Sequence, residues 1–128
     1  MEDISNLKIK QFKYETSTWK RVLGYMQEEN IHLKNRLSDV LKERFDKKML
    51  DDVEIFQNNF IKGDDLIGLL KNELADIENS LLTDIFVDKE INKNIEMRIK
   101  KMRINIDMAE KNFTRINNDF NNYLSENL

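Results

Sequence analysis

The chain has 128 residues, 35% of them charged and 40% apolar, with a formal charge of −3, one His, three Gly, no Pro and no Cys. That length suits one domain with a modest core. The lack of Cys removes disulfides, thiolate metal sites and cysteine nucleophiles, and the near-neutral charge does not point to a nucleic-acid or membrane partner. With no Pro and few Gly, almost nothing interrupts a helix. No run approaches the roughly 18 apolar residues of a membrane span. The opening MEDISNLKIK carries acids where a secretory signal carries bases, with no apolar stretch after it, so the expectation is a soluble cytoplasmic protein.

Residues 1–14 stand outside the helical pattern. Leu7, Ile9, Phe12 and Tyr14 are interleaved with Lys8, Lys10 and Lys13, close to a strand-like alternation. They read as an N-terminal arm, loosely ordered or pairing with a partner chain. From there Trp19, Leu23, Met26, Asn30, Leu33, Leu37 and Val40 recur at alternating spacings of four and three. That is a heptad seam, in which Trp19, Met26, Leu33 and Val40 share one core position and Leu23, Asn30 and Leu37 the other. Arg44 occupies the next core slot and ends the seam, placing a first helix at about 15–44 with Thr16, Ser17 or Thr18 as its cap.

Asp46 is a second cap candidate, for a helix over 47–82. Its seam reads Val53, Phe56, Phe60, Gly63, Ile67, Leu70, Leu74, Ile77 and Leu81, and a rival reading stops the helix at Gly63 and restarts it at Asp64. Beside the seam lie Ile55, Ile61, Leu66, Leu69 and Leu82, a stripe wide enough to suggest burial against two neighbours. The cluster at 83–87 interrupts the pattern, and Asp88 caps a third helix over 88–124. Its seam reads Ile95, Ile99, Met102, Ile106, Ala109, Phe113, Ile116, Phe120 and Tyr123. Residues 125–128 are expected to fray.

Three helices of about 45 to 54 Å, at about 1.5 Å per residue, with short connections predict an all-α antiparallel three-helix bundle or coiled coil. The alternative is a long hairpin whose apolar stripe a second chain completes.

Asn30 is the most informative irregularity. An Asn at a core heptad position costs stability and is satisfied by a polar partner at its own level, so it can fix register or chain number. Locally EENIHLKNRL resembles a leucine zipper, a likeness shared by many coiled coils. No basic region precedes it, which argues against a zipper-type DNA-binding protein. Asn30, Leu33 and Leu37, with the helix-two flank Ile55, Ile61, Leu66 and Leu69, are the interaction candidates.

Lys93, Arg98, Lys100, Lys101 and Arg103 form a basic stretch broken only by Glu96, the patch a nucleic-acid surface would need. Ile99 and Met102 are seam residues, however, so these charges fall around the flanks. Residues 64–90 carry eight acids against Lys71 and Lys89, and antiparallel packing would lay them beside the basic stretch. Mutual neutralisation is the simpler reading.

His32 is the sole histidine, and a carboxylate dimetal bundle needs two Glu-x-x-His pairs. The adjacent pairs Asp51-Asp52 and Asp64-Asp65 diverge by about 100° on a helix and share no ligand. No phosphate loop, Ser/His/Asp set or metal-ligand spacing is present. No cofactor and no metal are expected.

The sequence therefore reads as a non-enzymatic protein–protein interaction or self-assembly module, a homo-oligomer with a dimer favoured. Nucleic-acid binding through residues 93–103, and apolar-ligand binding through the helix-two flank with Met26, Met102 and Met108, are the alternatives.

Overall fold

The computed structural model describes residues 2–43, 46–82 and 89–128 as three helices: α1 (Glu2–Glu43), α2 (Lys47–Leu82) and α3 (Lys89–Asn127). Polar contacts between helices give their directions. Lys20 to Glu78 and Lys34 to Asp64 run α1 against α2. Glu73 to Arg98 belongs to an antiparallel α2–α3 pair, and Glu15 to Arg103 with Arg36 to Asn121 to a parallel α1–α3 pair. The chain is thus an up-down-up, all-α three-helix bundle. Helix α2 packs closely on both neighbours, while α1 and α3 touch each other least.

The seams are buried as the heptads predict. Leu23, Phe60, Ile77, Ile99 and Phe120 are fully enclosed. Asp46 caps α2 as expected, its Oδ1 accepting the Lys48 amide at 3.1 Å. Helix α2 runs unbroken through Gly63, so the reading that restarts it at Asp64 does not hold. The 83–87 interruption, the Asp88 cap and Arg44 lie outside the described residues.

The N-terminal arm is corrected. Residues 2–14 belong to α1, because the seam continues upstream through Ile9, Phe12 and Thr16 at spacings of three and four. Phe12 packs against the core, and Thr16 is 2% exposed. A hydroxyl at a seam position hid the pattern. Thr16 and Thr18 are not caps either: their hydroxyls donate back to the Lys13 and Tyr14 carbonyls at 3.1 and 3.0 Å, the mid-helix habit of these residues. Arg103 grips Glu15 through two hydrogen bonds of 2.9 and 2.8 Å, and Lys8 pairs with Glu96, fastening this end to α3. At the other terminus α3 continues to Asn127, and the Leu128 amide donates to the Leu124 carbonyl at 2.9 Å.

The core falls into two clusters. One is mostly aliphatic, running from Trp19 and Leu23 through Ile67–Leu81 to Ile95–Ala109. The other gathers Leu33, Leu37, Met49, Val53, Phe60, Phe120 and Leu124, with Phe56 and Tyr123 against it. Half-buried Phe113 packs against both.

Candidate functional site

Between the clusters lies the Asn30 layer. The Asn30 side-chain amide is 3% exposed and donates to the Phe60 carbonyl at 2.8 Å and to Asp64 Oδ1 at 2.6 Å. Both partners are acceptors, which fixes the amide with its nitrogen toward α2. Lys34, one turn along α1, donates to the other Asp64 oxygen at 2.5 Å. A charge-assisted network thereby joins α1 to α2 within a single chain. Gly63 belongs to the same feature: a Cβ placed there would stand 3.6 Å from the Asn30 nitrogen. A larger side chain would press on the amide. The cavity beside this layer, bounded by Asn59, Ala109 and Asn112 among others, is about 20 Å³. That accommodates a water and no organic ligand.

Leu33 and Leu37 are buried with Asn30, so these three interaction candidates are interior residues. The helix-two candidates are outside: Ile55, Ile61 and Leu69 are exposed, and Leu66 is just so. They do not form one stripe. At about 100° per residue, Ile55 and Leu66 share a side with Leu69 close by, whereas Ile61 lies about 120° away. The sequence reading overlooked Met97 and Ile104, which are exposed on α3 together with Met108. Their spacings of seven and four, outside the seam, are the signal that a second apolar face carries.

The basic stretch divides. Arg98 donates to Glu73 of α2 at 3.0 Å, the neutralisation by the acids of residues 64–90 that the charge blocks predict, whereas Arg103 binds Glu15 of α1 instead. Lys93, Lys100 and Lys101 point outward with no ion pair among the described residues. Met26 and Met102 are core residues while Met108 is exposed, so the three methionines line no common space. Between α1 and α3, the least tightly packed pair, a surface groove of about 370 Å³ runs past Val22, Met26 and Phe113.

His32 is exposed, and no group of His, Cys, Asp or Glu able to hold a metal ion occurs among the described residues. Tyr123 is the one buried side-chain polar group left without a partner among them. Burial of its hydroxyl, and then the charge of neighbouring Asp52, raise its pKa above the ordinary 10.0. No described helix is long and apolar enough to cross a membrane. Compared with protein-family models, curated proteins and solved structures, the chain finds no match.

Proposed function

We propose that this protein is a non-enzymatic interaction module that works by presenting helix surfaces to other proteins. The observation that carries this reading is the exposure of large apolar side chains on α2 and α3, with Leu69 68% and Met97 71% exposed, although the seams already bury one another within the chain. Clustered exposed apolar surface is kept for contact more often than for stability. The lack of cysteine suits a reducing, cytoplasmic setting.

Replacing Ile55, Ile61 and Leu69 together by Ser tests the reading. Where its mass matches the parent's, the variant should keep the parent's helical signal and melting temperature, since surface changes usually stay within about 0.5 kcal/mol each, and it should bind less of an apolar dye. A variant that keeps the parent's mass in light scattering yet melts far below it would make these residues structural and sink the reading.

Nucleic-acid binding is the second reading, favoured by the outward, unpaired Lys93, Lys100 and Lys101. It requires affinity for a duplex or single strand that falls steeply with salt.

A further inference from the structure

The flanks of α2 and α3 turned away from α1 form one face. On α2, Asp64, Lys71 and Glu78 reach α1, which places Asp65, Leu66, Leu69 and Asp76 on the far side. On α3, Glu96 and Arg103 reach α1, which places Met97, Lys101, Met108 and Arg115 on the far side. The Glu73–Arg98 pair at 3.0 Å joins the two flanks and sets their level. Counting antiparallel from it, Leu69 stands beside Met102 and Leu66 beside Asn105. The exposed leucines of α2 are therefore level with the Lys101–Met108 stretch of α3.

The two halves of this face carry opposite charge. On α2, Asp65 and Asp76 stand against Lys62; on α3, Lys101 and Arg115 stand against Asp119, while Glu73 and Arg98 neutralise each other across the two, so each half keeps one net charge of opposite sign. Asp65, Asp76 and Lys101 have no ion pair among the described residues.

We infer that this face is the seam of a homodimer, a specific form of the interaction reading above, on which it rests. A closed dimer uses the same patch on both copies, and two orientations of the two-fold axis are available. An axis across the helices lays α2 on α2 and α3 on α3, setting acid on acid and base on base. An axis along the helices lays each acidic α2 on the partner's basic α3, twice. Charge selects the second, a four-helix layer in which Leu66 and Leu69 of one copy cover Met97 and Met108 of the other. The like-charge arrangement is disfavoured, and complementary potentials set the register.

Light scattering across a concentration series, against the 15.4 kDa chain, tests it. The parent should reach twice that mass. Asp65→Lys with Asp76→Lys in one variant, and Lys101→Glu with Arg115→Glu in another, should each halve the mass while keeping the helical circular dichroism of the parent. Mixing the two variants one to one should restore the double mass, because each reversed α2 then meets a reversed α3. A parent that stays at one chain's mass, charge variants that keep the double mass, or a mixture that stays single would each overturn the dimer. A monomeric parent would leave the broader interaction reading standing, since the Ser-substituted surface variant judges that separately. If a charge variant lost helicity, Leu69→Asn would replace it, with the same halving expected.

Discussion

The two halves of the bundle are written in the same heptad pattern and packed differently. The half from Trp19 to Ala109 is aliphatic except for Trp19 and draws a buried stripe from all three helices. The other half is built around rings: Phe60 meets Phe120 edge-on at 5.2 Å, and Phe56 lies 5.2 Å from Phe120 and 5.1 Å from Tyr123. There Val40, Leu41, Phe56, Ile116 and Tyr123 are only partly covered. Aliphatic side chains interdigitate in layers that close around themselves. Large rings fill volume with fewer residues and leave edges near solvent, so the aromatic half depends on fewer, larger contacts. A periodic seam specifies which face is buried, and residue shape decides how completely.

That contrast is sharpest at Phe60. It is fully buried and touches two rings, so Phe60→Ala should cost about 3 to 5 kcal/mol, read as the shift of the denaturation midpoint at unchanged slope. Phe113, half-buried at the junction, should cost clearly less on the same replacement; equal losses would mean that the junction is as closely packed as the ring cluster.

The polar layer comes next in size. Asn30→Ala removes the donors to Phe60 and Asp64 and should cost about 1 to 3 kcal/mol. Amide hydrogen exchange on either side of residue 30 should then show the two halves opening less in concert than in the parent. A fully uniform change in exchange would argue that the layer divides nothing.

Tyr123 gives a smaller effect and a pH signature. Its folded pKa is raised, so the stabilisation belongs to the neutral phenol. It is complete below the ordinary value of 10.0 and is lost as pH climbs through the folded value. Tyr123→Phe removes a hydroxyl that meets no hydrogen-bond geometry and has Asp52 as its polar neighbour, so at pH 7 it should change stability by about 1 kcal/mol or less. Above pH 10 it should lose less stability than the parent, as urea titrations at the two pH values would show.

The smallest expected effect lies outside both halves. Nothing stands within 4 Å of a Cβ built on Gly68, so Gly68→Ala should stabilise α2 by about 0.5 to 1 kcal/mol through helix propensity alone. A loss instead would show that something covers Gly68, close to the proposed seam.

The bundle itself was legible in the sequence, since three seams at the three-and-four spacing leave few other ways to bury apolar residues. The start of α1 was not, because Thr16 broke the apolar pattern and the alternating lysines of residues 8–13 imitated a strand. The neutralisation of Arg98 by Glu73 was readable from charge blocks on antiparallel helices. Arg103 was not assignable, because its partner Glu15 lies on α1, almost ninety positions away in the chain. Likewise, the flank residues Ile55 and Ile61 share an apolar character but diverge around the helix axis, so one stripe became two.

By itself the sequence determined the helices, their buried faces and the absence of thiol chemistry, because spacing and residue type act locally along the chain. Only the tertiary structure decided that Asn30 and Gly63, separate gaps in two seams, are one feature. An amide's hydrogen-bond partner is set by which residue stands opposite it, and periodicity along one helix holds no record of its neighbour's register.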